Sequence, residues 1–316
     1  MKVAIIGGGV CGLYLAKNLA QKENSVTVFE RKKTIGKTCC SGLFSERLFS
    51  HITEAKPLST NKIRRAIINF PKRRIELRFA QPFYIIEHAQ LDLLVAGLAT
   101  NAGANILVNE IIDTGKLAQI TKNFDRTVGC DGALSVTRKF LGLPDPKFML
   151  GIQAFEAKRD QSDFVETWAT PNGFFWRIPR GHDVEWGIME TPSAARPFFD
   201  RFMAENGVKT GPLVSAIIPQ GLILPQNERI TLCGDACGLT KPWSGGGVVW
   251  NLRQANILLK NFPNFLQYRR EAGGIFGFRI LIGNIAKTGA YAAGFKFPGL
   301  IPKKLNLDGD FLFLKK

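Results

Sequence analysis

The stretch Val3-Ala4-Ile5-Ile6-Gly7-Gly8-Gly9-Val10-Cys11-Gly12 decides how this chain of 316 residues is read. Its first four residues are an apolar, β-branched run of the kind that becomes a buried strand, and the apolar positions from Val10 to Ala20 recur with a helical period. Between them, Gly7 permits a tight turn, Gly9 lets backbone approach a pyrophosphate, and Gly12 allows helix and strand to pack closely. Phosphates then meet the positive end of the helix. A second strand, Ser25-Val26-Thr27-Val28-Phe29, runs into Glu30 and Arg31, with Glu30 placed to accept ribose hydroxyls. An acid there favours FAD or NAD over a cofactor with a 2′-phosphate.

Composition limits the rest. With 45% hydrophobic residues the chain can bury a large core, which excludes a disordered or fibrous protein. The apolar region from Gly273 to Ile301 is broken by Arg279, Lys287 and Lys296, so no transmembrane helix is expected. The chain enters its first strand at Lys2-Val3, and a cytoplasmic protein is expected. Six cysteines, at 11, 39, 40, 130, 233 and 237, argue against a disulfide framework in that compartment. Cys233 and Cys237 have no second ligand pair, so no metal site is expected; most of these thiols read as small buried space-fillers.

The net charge of +16 is concentrated. Lys62, Arg64, Arg65, Lys72, Arg73, Arg74 and Arg78 crowd a segment that alternates like a β-hairpin, with Glu76 its one acid. From Lys260 to Lys316 there are ten basic and three acidic residues, interleaved with Phe276, Phe278, Phe295, Phe297 and Leu300. Cationic and apolar residues together suit an anionic membrane surface, at the inner face. Nucleic acid is disfavoured, because the basic residues accompany apolar ones and no nucleic-acid motif is present.

The coarse pattern predicts an α/β fold with an α+β insert: a Rossmann-like βαβ domain for a dinucleotide, FAD or NAD, carrying an inserted antiparallel-sheet substrate domain. Residues 1–60, 87–145 and 226–262 are assigned to the FAD-binding domain, 61–86 and 146–225 to the substrate domain, and 263–316 to a basic, apolar C-terminal segment that contacts the membrane.

Two later segments sharpen this. Gly129-Cys130-Asp131-Gly132-Ala133-Leu134-Ser135-Val136-Thr137-Arg138 resembles the second cofactor motif of the geranylgeranyl reductase family, in the wider flavoprotein group of aromatic hydroxylases and flavin-dependent halogenases. Cys233-Gly234-Asp235-Ala236-Cys237-Gly238, with Lys241-Pro242-Trp243-Ser244-Gly245-Gly246-Gly247, resembles the third, where the Asp contacts the ribityl chain and the glycines pass near the isoalloxazine. Gly245 to Gly247 also opens a helix over 248–259, whose N-terminal NH groups can stabilise negative charge on a reduced flavin. Pro171-Asn172-Gly173-Phe174-Phe175-Trp176-Arg177-Ile178-Pro179 resembles the family's substrate-cavity signature, and alternation puts Phe174, Trp176 and Ile178 on one strand face. Cys39-Cys40-Ser41-Gly42 resembles its Cys-x-Gly loop, with Cys40 and Gly42 near the flavin.

The resemblance implies FAD-dependent saturation of carbon–carbon double bonds in geranylgeranyl chains of lipids, with ferredoxin, a deazaflavin or a nicotinamide as external electron donor. It gives Phe174 and Trp176 the task of positioning the alkene, and Cys40 that of shaping the flavin face or assisting protonation. Gly7, Gly9, Gly12, Glu30, Arg31, Cys40, Gly42, Asp131, Gly132, Gly234, Asp235, Gly245, Gly246 and Gly247 are the candidate cofactor residues. Three departures stand out: a short region after the third motif, His88 where relatives carry Arg, and Phe174 in place of a frequent Tyr. No His or carboxylate declares itself as the acid. The alternatives are an oxygen-using monooxygenase or halogenase, whose signature also fits Phe174 to Pro179, and a flavin- and lipid-binding protein without turnover.

Overall fold

The computed structural model describes residues 1–37 and 39–312, so Lys315 and Lys316 of the basic C-terminal segment lie outside the described residues. In chain order, β1 (Lys2–Ile6), α1 (Val10–Ala20) and β2 (Ser25–Phe29) form the opening βαβ unit. After them come β3 (Leu43–Ser45), α2 (Leu48–His51), β4 (Ser59–Phe70), β5 (Arg73–Ile86), α3 (His88–Asn101), β6 (Asn105–Leu107) and α4 (Thr114–Asn123). The middle holds β7 (Arg126–Gly129), α5 (Val136–Phe140), β8 (Lys147–Glu156), β9 (Phe164–Ala169), β10 (Phe174–Pro179), β11 (Val184–Glu190) and α6 (Pro192–Glu205). The chain finishes with β12 (Val214–Gln220), β13 (Ile230–Leu232), α7 (Val248–Asn261), α8 (Phe265–Lys296) and β14 (Lys304–Leu307).

These elements make two compact units. The first comprises residues 1–37, 89–147 and 219–280. Its five strands run in the order β13-β7-β1-β2-β6, all parallel, as strands joined through crossovers must be. β1, at the centre, is buried from Val3 to Ile6, and Ala4 and Ile6 pack on Leu117 and Ile120 of α4. Asp113 caps α4 by accepting from Lys116 N at 2.8 Å.

The second unit comprises residues 38–88, 148–218 and 281–316. Its nine-stranded sheet has the order β12-β8-β11-β10-β9-β4-β5-β14, with β3 beside β5. One face carries Phe175, Trp186 and Ile188 against Phe199 and Met203 of α6. Ile63, Ala66, Leu77, Phe83 and Ile178 form a second apolar cluster of the unit.

The differences from the sequence reading have physical causes. The sheet of the second unit is not wholly antiparallel: β4 pairs with β9, and β14 with β5, in parallel. Residues 38–60, assigned above to the cofactor domain, belong to the second unit, and the first unit runs on to residue 280. α8 was read only as a basic, apolar tail, because six glycines between 273 and 294 break its helical signal. Pro197 inside α6 hid that helix in the same way. Among the described residues, no helix is long and apolar enough to cross a membrane.

Candidate functional site

In the first unit the opening glycines are fixed by space. Gly7 has φ +108°, and a Cβ there would stand 2.3 Å from the Cys130 carbonyl oxygen. One on Gly12 would stand 2.2 Å from the Gly7 carbonyl, whereas one on Gly9 would meet nothing within 4 Å. The turn is therefore closed on its inner side and open at Gly9, where α1 begins with no side-chain cap and no acid in its first turn. Its free N–H groups and positive end make an anion cradle. Glu30 is buried beneath, accepting from Gly8 N at 2.7 Å and Lys32 N at 2.9 Å. Arg31 is exposed.

The second and third segments meet through a residue that the sequence reading passed over. Arg138 is 1% exposed and donates to the carbonyls of Ala133 and Ala236 at 2.8 Å each, and to Asp145. One guanidinium thus pins the two segments together. The signal was available in an arginine at the end of a motif otherwise made of small and apolar residues. Asp131 holds the start of α5, accepting from Ser135 Oγ at 2.6 Å and Thr137 N at 2.9 Å, and burial pushes its carboxyl above the usual range.

In the third segment Gln254 Oε1 accepts from Gly234 N at 2.8 Å. Asp235 accepts from Asn251 Nδ2 at 2.8 Å, with Lys37 Nζ 3.7 Å from its other oxygen. Lys241 to Gly247 folds into a closed turn before α7: Gly245 N donates to the Lys241 carbonyl at 2.9 Å, and Lys241 N to that of Gly246 at 3.1 Å. A Cβ on Gly247 would lie 3.0 Å from Asp235 Oδ1. Asn251 Oδ1 is buried and has no hydrogen-bond partner among the described residues. That unmet acceptor beside a carboxylate, together with the Gly9 cradle and the Glu30 carboxylate, fits the hydroxyls and phosphates of a flavin dinucleotide.

The nearby thiols are not nucleophiles. Cys11 and Cys233 lie 3.6 Å apart, sulfur to sulfur, and burial pushes Cys237 up to about 12. The Cys11 thiol is raised first by its hydrogen bond with Cys130, and that of Cys233 by burial. All stay protonated near neutrality and fill space.

In the second unit Phe174 and Trp176 are half-buried with ring centroids 6.0 Å apart, while Phe175 points to the other face and stacks on Phe202 at 4.1 Å. Ile178 does not continue an open stripe: it is buried among Ile63, Ala66 and Leu77. The Trp176 indole occupies the place of a missing side chain, since a Cβ on Gly187 would be 2.2 Å from its Cζ2. Its Nε1 donates to Glu185 Oε1 at 2.7 Å.

Glu185 is the second residue that sequence reading missed. It is 0% exposed, and its Oε2 accepts from Arg180 Nη1 at 2.7 Å. Arg180 also donates to the Ser41 carbonyl and to Glu87 Oε2, both at 2.9 Å. The network thus links the Trp176 strand to the loop that carries Cys40. Within that loop Gly42 has φ +62°, its carbonyl accepts from Ile86 N at 2.9 Å, and its N–H lies 3.5 Å from Cys40 Sγ. Burial pushes Glu185 up to about 7, outweighing the opposing pull of Arg180 and Trp176. An acid set inside the apolar run from Val184 to Met189 was the visible clue. His88 is buried edge-on to Phe44, with centroids 5.7 Å apart.

Comparison with known proteins adds the following. Residues 5–52 match the NAD(P)-binding Rossmann-like domain. Digeranylgeranylglycerophospholipid reductase 2 of Methanothermobacter thermautotrophicus is 26% identical over 78% of this chain and 73% of its own. Digeranylgeranylglycerophospholipid reductase of Methanoculleus marisnigri is 25% identical over 78% and 72%. In fold, the geranylgeranyl bacteriochlorophyll reductase-like protein of Thermoplasma acidophilum superposes with a TM-score of 0.76 at 19% identity, over 91% of this chain and 86% of that one. The tryptophan C-6 flavin-dependent halogenase Tar14 gives 0.70 at 15% identity, over 90% and 77%.

Two outcomes test this geometry. Replacing Arg138 with Met should cost roughly 3 kcal/mol of stability, since charge-assisted bonds to three partners are lost, and should lower flavin retention; an unchanged denaturant midpoint would show that the pin is dispensable. Glu185, with its carboxyl raised from 4.5 to about 7, adds stability that is complete below about pH 4.5 and lost as pH rises through 7. Glu185→Gln should therefore flatten the pH dependence of the melting temperature in that window, whereas Glu185→Ala, which strips a buried guanidinium of its partner, should destabilise at every pH.

The chain is thus similar along most of its length to proteins named digeranylgeranylglycerophospholipid reductase, and it shares its fold with a geranylgeranyl bacteriochlorophyll reductase-like protein.

Proposed function

We propose that this protein is an FAD-dependent oxidoreductase that saturates carbon–carbon double bonds in geranylgeranyl chains of lipids. The observation that carries the reading is sequence similarity to digeranylgeranylglycerophospholipid reductases over 78% of the chain, a span too long for the Rossmann segment alone to account for. FAD, when bound, would supply the redox chemistry: a two-electron reduction of the alkene at the expense of an external donor, with one proton taken up at the second carbon. Ferredoxin, a deazaflavin or a nicotinamide serves as the donor.

The chain's own residues hold and shield. The Gly9 cradle at the N-terminus of α1 takes the pyrophosphate, Glu30 the ribose hydroxyls, and Asn251 with Asp235 the ribityl hydroxyls. Phe174 and Trp176 grip the prenyl chain, and the Glu185 bond fixes the indole's angle. An unactivated alkene develops no oxyanion, so the enzyme's contribution is orientation of the bond and exclusion of water. Cys40 sits in a loop that Arg180 fastens through the Ser41 carbonyl. The basic and apolar C-terminal region brings the protein to an anionic membrane surface as a peripheral protein. The oxygen-using alternative draws on the halogenase likeness in fold.

Anaerobic mixing of chemically reduced protein with a geranylgeranyl lipid should reoxidise the flavin and add two hydrogens to the lipid per bond. A flavin that stays reduced until oxygen enters would overturn the reductase reading in favour of an oxygen-using enzyme or a flavin- and lipid-binding protein without turnover. Trp176→Ala should lower kcat/KM at least tenfold while flavin content holds, which stopped-flow absorbance and cofactor assay check together. Binding to anionic vesicles should fall steeply between about 20 mM and 500 mM salt, as screening shortens the reach of the basic residues; sedimentation that ignores salt would remove the membrane claim.

A further inference from the structure

The β4–β5 hairpin carries a feature that flavin and prenyl chemistry leave unused. Along one of its faces Arg65, Ile67 and Asn69 of β4 stand opposite Arg78, Glu76 and Arg74 of β5. The other face supplies Ala66 and Leu77 to the apolar cluster around Ile63, so the charged row has no place in that cluster. Beside it lies a hollow of about 610 Å³ whose lining includes Arg65, Lys72, Arg73, Arg74, Lys303 and Lys304, with Glu76 the one acid. Six positive charges and one negative leave the lining at +5.

Carboxylates on and next to the neighbouring strand β9 answer only part of that charge. Arg65 is paired with Asp163 at 2.6 Å, and Arg74 lies 3.8 Å from Glu166. Among the described residues Lys72, Arg73, Lys303 and Lys304 have no ion-pair partner within 4.0 Å. Arg73 gives one nitrogen to the Ile301 carbonyl, while its Nε is buried and has no partner among the described residues. A buried guanidinium N–H without an acceptor, on the wall of a cationic hollow, is the arrangement an anionic oxygen completes.

The hollow also has an apolar neighbour. Phe297 and Leu300, in the turn after α8, are 59% and 77% exposed. The chain just beyond them is tied to the hairpin, by Arg73 at the Ile301 carbonyl and by Glu76 N at the Lys303 carbonyl, 2.9 Å. Phe70 at the hairpin tip packs edge-on against Tyr291 and Phe295 of α8, with centroids 6.1 and 5.5 Å away. Gly294 makes room for it, since a Cβ there would be 2.2 Å from the Phe70 ring. Cationic hollow and exposed apolar turn therefore form one rigid patch. Free phosphate uses only the first half of it; an amphiphile with an anionic head uses both.

We propose that this hollow binds the phosphate of an anionic phospholipid headgroup, with Phe297 and Leu300 entering the acyl boundary beside it. It rests on the proposed function only for the expectation that a lipid surface is nearby; headgroup binding itself requires no turnover.

The test uses the full flavin-loaded chain with sedimented vesicles, either pure phosphatidylcholine or containing about 30% phosphatidylglycerol, with inorganic phosphate titrated separately. The triple variant Lys72→Ala, Lys303→Ala, Lys304→Ala should bind the anionic vesicles at least tenfold more weakly. A control losing the same charge elsewhere, Lys116→Ala, Lys122→Ala, Lys209→Ala, should lose less than threefold. Phe297→Ser with Leu300→Ser should weaken vesicle binding and leave phosphate titration unchanged. Circular dichroism and flavin absorbance report that each variant is folded. Equal losses in the two triple variants would show diffuse charge attraction and overturn the site; saturable phosphate binding without vesicle binding would overturn the lipid assignment. Vesicle binding is read without prenyl reduction, so failure of either proposal leaves the other standing.

Discussion

Helix α1 can approach β1 only because Gly12 has no side chain, and the rest of the first unit depends on that approach. With Gly7 pressed equally close to the Cys130 carbonyl, the opening turn, the residue after β7 and the start of α1 converge at a point that leaves no room for a Cβ at either glycine. Such contacts cost conformational entropy at each glycine. In return they leave the N-terminus of α1 open at Gly9, free of competing acids. Arg138 then does for the second and third segments what van der Waals contact does for the first. It is a fully buried cation whose acceptors are two carbonyls and one carboxylate, and it sets their spacing.

The second unit solves a different problem. A sheet that handles an apolar chain has to keep its aromatic side chains at fixed angles without filling the space between them. Here the angle of Trp176 is set by a polar bond to a residue of the neighbouring strand, and Glu185 is in turn held by Arg180, which reaches the loop of Ser41. Burying this pair costs desolvation, seen in the upward shift of the Glu185 carboxyl. Apolar packing alone would leave the indole several rotamers; the hydrogen bond leaves it one.

What the sequence made legible was local and periodic. The run from Val3 to Gly12, the alternation of Phe174 to Ile178, and the glycine turn before Val248 all carry their meaning within a dozen residues. Arg138 and Glu185 escaped because their partners lie far away in the chain or on a neighbouring strand, where only register brings them together. α8 escaped because glycines mask a helical period, and the parallel pairing of β14 with β5 escaped because four residues carry no strand signal that can be told from a loop. Ile178 shares a side of the strand with Trp176 yet lies in the apolar cluster, because alternation fixes the side of a strand and not what covers it.

Trp176 and Gly187 share one volume. The indole fills the space that any side chain at 187 would need. A Cβ at 187 would also stand 2.7 Å from the Ile152 carbonyl oxygen, so shrinking residue 176 would not by itself make room there. Glycine at 187 is thus demanded by ring and backbone alike, and the demand is independent of whatever substrate the sheet holds.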